Sequence, residues 1–112
     1  MHLWSSTLLT QRCNSYQFDV DPVTLSFANR RVFAYSDSGV PDGIQLDTNG
    51  NVYSGCGDGI HVWNSKGTLI GKFIDNTTTA EQIFTQSGLL IFGEQQIYLA
   101  TIQAQGIDLS TD

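Results

Sequence analysis

Few residues in this chain could do chemistry, and one is set apart by its neighbours. In "GVPDGIQLDTNGNVYSGCGDGIHVWNSKG", Gly39 to Gly67, Asp42 is pinned between Pro41 and Gly43 at the mouth of a strand-like run. A carboxylate there has two readings. It can punctuate a turn, because Asp and Gly both favour turns and Asp can cap local backbone groups. It can also project from a strand end as a hard oxygen ligand for Ca2+ or Mg2+. A cation held there can polarise a carbonyl and acidify a bound water. A carboxylate in reach of that water can move its proton. Spacing alone leaves both readings open.

The other candidates are plainer. Asp47 in "LDTNGN" lacks the D-x-[DN]-x-[DN]-G spacing and closing glutamate of a calcium loop, so it reads as a hairpin turn. Glu81 opens a later strand and is either a second acidic group facing the same way as Asp42 or a solvated strand end. His61 lies between Ile60 and Val62, points away from their face and reads as structural or surface; His2 sits in a ragged start. Cys56 in "SGCGDG" has no adjacent histidine to activate it and reads as a small packed thiol. Glu94 in "GEQQ" reads as a solvated turn residue. Trp63, Phe73, Phe84 and Phe92 read as core. No Ser-His-Asp order, phosphate loop or zinc spacing occurs.

These residues must be positioned by β-structure. Tyr16, Phe18 and Val20 alternate with polar residues in "YQFDV", the period of a strand. "RRVFAYS", "GIQLD", "NVYSG", "GIHVWN" and "TLIGKFI" follow, separated by turn signals at Asn49–Gly50, Gly57–Gly59 and Ser65–Gly67. Strands near 42–47, 51–55, 59–64 and 68–74 should form one antiparallel meander with no long helix. A weak repeat follows: "GNVYSG" is echoed by "GLLIFG", and "GIHVW" by "QIYLA". Four strands recurring at about 40 residues is the pattern of β-propeller blades. The plain alternative is a β-sandwich, whose strands also recur at short intervals. The propeller is the better reading because the turn glycines repeat in phase.

By this count the segment before Gly39 holds the last two strands of one blade, Asp42 to Asp75 a full blade, and Glu81 to Ile102 three strands of another. The expected organisation is an irregular leader at 1–14, a partial propeller at 15–104 and a disordered tail at 105–112. Closed propellers have about four to eight blades. Two blades leave edges exposed, which favours self-association through unpaired strands.

Composition narrows the partners. The 112 residues give one domain's worth of chain, and 40% apolar with 14% charged residues suits a packed globular protein. Eleven acidic against five basic residues leave a formal net charge of −6, which argues against nucleic acid and anionic membranes as partners. No run approaches the ~20 apolar residues that span a bilayer, and the start lacks the basic and apolar regions of a secretion signal. The two cysteines, Cys13 and Cys56, are too few for a disulfide framework. "NTT" at Asn76 is a glycosylation acceptor only if the chain is secreted. Compartment stays open, with the cytoplasm expected if the start is genuine.

From about Gln17 to Ile102 the chain resembles the C-terminal part of the gluconolactonase and regucalcin (senescence marker protein) family. The resemblance rests on "NRRVFA" at Asn29–Ala34, then "GVPDGIQLDTNGNVY", then "GIHVWNSKGTLIGKF". It implies an all-β, six-bladed β-propeller with a divalent metal, Ca2+ first, in its central channel. It also implies hydrolysis of sugar lactones, with related members acting on phosphotriesters. The aspartate of "PDG", which falls on Asp42, would be a metal ligand and the general acid/base. The family's other ligands are a glutamate of the first blade and asparagines of the middle blades, and no segment here corresponds to them. Asn14 and Asn29 fall in outer strands and cannot replace them. Two function classes follow: part of a lactonase-type hydrolase that is inactive as an isolated chain, or a non-catalytic propeller fragment serving as an interaction module.

Overall fold

A computed structural model of the chain describes residues 2–6, 14–75 and 77–107. These residues contain strands and turns and no helix. Ten strands run in chain order: β1 (His2–Ser6), β2 (Asn14–Val20), β3 (Phe27–Tyr35), β4 (Asp42–Leu46), β5 (Val52–Cys56), β6 (Gly59–Trp63), β7 (Leu69–Ile74), β8 (Thr79–Thr85), β9 (Gly88–Gly93) and β10 (Ile97–Ala100). They form three antiparallel sheets with orders β1-β2-β3, β4-β5-β6-β7 and β10-β9-β8. Each sheet is a meander of sequence neighbours, as the closely spaced turn residues require.

The middle sheet matches the expected four-stranded meander within a residue or two at each end. Its strand β4 packs against β8 on one side and against β1 on the other. The three sheets therefore converge along one line of strands, and β4 lies on it.

Alternation along the strands divides the middle sheet into two buried faces. Val52 pairs with Trp63 and Ser54 with His61, so these four share a face. That face meets the first sheet, where Ala34 and Phe33 pack against Cys56 and Trp63. The opposite face carries Tyr53, Ile60 and Val62, which pack against Leu89, Ile91 and Phe84 of the third sheet. The rings of Tyr53 and Phe84 meet edge to face at 4.9 Å. The core is thus two seams between three sheets rather than one interior.

Both ends differ from the sequence reading. His2–Ser6, placed in an irregular leader, runs as β1 against β2 from His2↔Asp19 to Ser6↔Ser15. Pairing satisfies a row of β2 backbone groups that would otherwise form an open edge. Residues 7–13, with Cys13, lie outside the described residues, as does Asn76. At the other end, Gln105–Ile107 are held rather than loose. The Gln105 carbonyl accepts from Thr48 N at 2.8 Å, and Ile107 N donates to the Leu46 carbonyl at 3.2 Å. Residues 108–112 of the expected tail lie outside the described residues.

Candidate functional site

Asp42 is the first residue of β4 and is exposed. It stands opposite Gly55, and the ladder then slips, so that Ile44 pairs with Ser54 and Gly43 is left as the extra residue of a bulge. Gly43 takes a φ of +60°, which a side chain would resist. The bulge is pinned from behind. Ser54, fully buried, donates its hydroxyl to the Gly43 carbonyl at 2.8 Å, with the Asp42 carbonyl at 3.3 Å. Buried Pro41 precedes it and needs no donor partner at the strand start. Among the described residues no hydrogen bond or ion pair engages the Asp42 carboxylate. The chain therefore builds a rigid backbone platform and leaves the carboxylate on it open to solvent.

The sequence-level candidates do not gather around it. Among the described residues no three His, Cys, Asp or Glu side chains come together as a metal-holding group. Glu81, the third residue of β8, is exposed, and its Oε1 accepts from Gln82 N at 3.0 Å. Asn29 is exposed on β3 and donates to Asp19 Oδ2 at 3.0 Å. Glu94 is exposed in the turn before β10. A cavity of about 620 Å3 lies between the end of β8 and the 102–107 segment, and Asp42 does not line it.

Asp47 is fully committed to structure. Only 1% exposed, it accepts from Asn49 N, Asn51 N and Asn51 Nδ2, each at 2.9 Å, and from the Tyr53 hydroxyl at 3.0 Å. Four donors compensate a carboxylate removed from water. Burial, and then the nearby Asp47 carboxylate, push the Tyr53 phenol up to about 12.

His61 is buried on the face opposite Ile60 and Val62, and its Nε2 lies 2.6 Å from Asp58 Oδ1. Lys72 Nζ reaches Asp37 at 2.9 Å and Asp58 at 3.7 Å. Partial burial pushes the Asp58 carboxyl up, but the His61 hydrogen bond and charge, with Lys72, outweigh it and hold it below its usual range. This group is a bracket across the β5–β6 turn. Cys56 beside it is buried, and burial pushes its thiol up to about 11, so the inert packed thiol is the one found.

Sequence reasoning missed Ser54, Asp58 and Lys72 as organising residues. Ser54 alternates with buried positions in "NVYSGC", a place where a hydroxyl needs a backbone acceptor. That is the one signal that points to it. Asp58 sits in a turn whose glycines already explain it.

The geometry defines a class: consecutive antiparallel meanders, packed face to face and converging on their first strands, are blades of a β-propeller. Solved structures agree. An X-ray structure of a protein assigned as a gluconolactonase superposes with a TM-score of 0.87 at 19% identity, covering 96% of this chain and 37% of that one. A gluconolactonase from Xanthomonas campestris gives 0.74 at 29% identity, covering 82% and 31%. Among curated proteins, a lactonohydrolase of Aspergillus oryzae is 32% identical over 75 residues, which is 67% of this chain and 16% of that protein. The family model for the SMP-30/gluconolactonase/LRE-like region matches residues 9–103, and the chain belongs to that family. It spans about a third of the solved relatives and less of the fungal one.

Proposed function

We propose that this chain is part of a metal-dependent lactonase-type hydrolase acting on sugar lactones. Asp42 is one ligand of a divalent metal, Ca2+ first, and the group that moves the proton of the attacking water. The observation that carries this reading is the open carboxylate on a braced bulge, at the start of the strand where the sheets converge. Family membership and the lactonohydrolase relative support the substrate class. Asp42 takes a proton from water as it attacks the lactone carbonyl and returns it to the ring oxygen that leaves, so the carboxylate is regenerated.

The described residues do not by themselves complete a calcium site, which takes about six to eight oxygens. Asp42 supplies one carboxylate, and the remaining ligands come from beyond these residues. The isolated chain is accordingly inactive. The test is gluconolactone hydrolysis by the purified chain with Ca2+, Mg2+, Mn2+ or Zn2+ present. No turnover above buffer is expected. Metal-dependent turnover that disappears in Asp42→Ala would overturn the inactivity.

Among the described residues no metal-holding cluster forms, and a second reading is a non-catalytic module that serves as an interaction surface. Calcium titration separates the two. Weak saturable binding, near ~10⁻³ M or weaker, that is lost in Asp42→Asn supports the first. No binding at all supports the second.

A further inference from the structure

Asn49 is the one asparagine of this chain that is followed by glycine. That dipeptide is chemically labile. The backbone nitrogen of the following residue can lose its proton and attack the asparagine Cγ. A C–N bond forms, the side-chain nitrogen leaves as ammonia, and a cyclic succinimide remains. Water then opens the ring at either carbonyl, which gives aspartate or isoaspartate. Glycine makes the attack easy, because no Cβ crowds its nitrogen and its backbone turns freely. The other described asparagines have bulkier neighbours: Ser15 after Asn14, Arg30 after Asn29, Val52 after Asn51 and Ser65 after Asn64.

The fold leaves Asn49 in the open and ties down its neighbour. Asn49 is exposed in the turn between β4 and β5, and among the described residues no hydrogen bond holds its side chain. Gly50 N, the nitrogen that would attack, donates to the Asp47 carbonyl at 3.1 Å. A nitrogen held in that bond keeps its proton, and its peptide plane is fixed. The flanking peptides are pinned as well. Asn49 N and Asn51 N both donate to Asp47 Oδ1 at 2.9 Å, and Gly50 lies between them with a φ of +82°. Turning the Asn49–Gly50 peptide towards Cγ therefore breaks bonds to Asp47. The buried Asp47 carboxylate also sets a negative charge beside the nitrogen that must become anionic, and like charge disfavours that state.

We propose that Asn49–Gly50 is a deamidation site gated by the fold: closed while the Asp47 cage stands, reactive when the hairpin opens. The product does not fit back. Isoaspartate adds a methylene to the backbone of a turn whose span is set by the bond from Asp47 N to the Asn51 carbonyl at 3.0 Å. Either product also adds a carboxylate beside Asp47, in a chain whose formal net charge is already −6. Opening thus becomes a lasting loss of the β4–β5 hairpin. The proposal stands independently of any role for Asp42.

The test holds the purified chain at mildly alkaline pH with and without guanidinium. Tandem mass spectrometry locates the amide-to-acid mass gain, and chromatography against synthetic peptides separates aspartate from isoaspartate. In guanidinium the gain should fall on Asn49 first. In native buffer it should be slower by at least about tenfold, the factor that breaking one or two such bonds gives. The slowing should be no smaller than the hydrogen-exchange protection of the Gly50 amide, because both need the same opening. Asp47→Ser removes the gate and should react in native buffer at close to the unfolded rate, with its β-sheet spectrum retained. If that spectrum is lost, Asn51→Ala takes its place. It removes one bond to the Asp47 carboxylate, and its rate should fall between those of native and unfolded wild type. Equal rates with and without guanidinium overturn the proposal. So does a first gain at another asparagine, or a folded Asp47→Ser chain that reacts as slowly as wild type. An isoaspartate chain that regains the full unfolding free energy overturns the lasting loss of the hairpin.

Discussion

The Ser54 hydroxyl lies 2.8 Å from the Gly43 carbonyl oxygen and closes the bulge that sets Asp42 at the head of β4. Ser54→Ala removes the donor and leaves a buried acceptor short of a partner. An unmet buried group costs about 1–3 kcal/mol. The unfolding free energy from urea titration should fall by that amount, with an unchanged far-UV spectrum. An unshifted midpoint would mean that the bulge stands without this bond.

Gly55 tests how tightly the blades interlock. A Cβ built there would come within 2.1 Å of the Thr79 carbonyl oxygen on β8, a backbone atom that cannot step aside alone. Gly55→Ala should destabilise by roughly 1–3 kcal/mol or more, the usual range for overpacking. Gly71→Ala is the control. Nothing lies within 4 Å of its added Cβ, and urea unfolding should move by less than about 0.5 kcal/mol.

Tyr53→Phe removes one of four donors to the buried Asp47 carboxylate. A hydrogen bond to a charged group is worth about 1.5–3 kcal/mol, and the thermal midpoint should drop accordingly. Because the Tyr53 phenol is pushed up to about 12, its contribution holds below its ordinary value of about 10 and fades as pH rises towards 12. The variant should lose stability less steeply than wild type over that alkaline range.

The Asp58 bracket predicts the acid limb. Its carboxyl is held below its ordinary range. The contribution is therefore present above the unfolded carboxyl value, about 3.9, and is lost as pH falls through the lower folded value. Lys72 is raised, by Asp37 first, so its share persists below its ordinary value and is lost only on the far alkaline side. Asp58→Asn should flatten the loss of urea stability below pH 4. An acid limb as steep as that of wild type would remove Asp58 from the account.

Much of the architecture could be read from local signals. The turn signals between the strand-like runs located the middle sheet within a residue or two at each strand end. His61, read as either structural or surface, is buried, because the face opposite Ile60 and Val62 is also covered. What stayed hidden depends on distant pairing. The His2–Ser6 strand is recognised only by its pairing with β2, and Gln105–Ile107 only by bonds to Leu46 and Thr48. Asp42 shows the same limit at the site. Its dipeptide context suggested turn or ligand, and only the long-range Ser54 bond reveals a braced platform.

The central claim is that the Asp42 carboxylate does chemistry when the rest of a propeller surrounds it. The most direct measurement grafts residues 39–75 in place of the matching blade of the Xanthomonas campestris gluconolactonase and follows gluconolactone hydrolysis. The account predicts an active graft whose kcat/KM falls about 10²–10⁴-fold in Asp42→Asn, the range for loss of a positioned proton-transfer group. An active graft that hydrolyses lactone equally well with Asp42→Asn would contradict it.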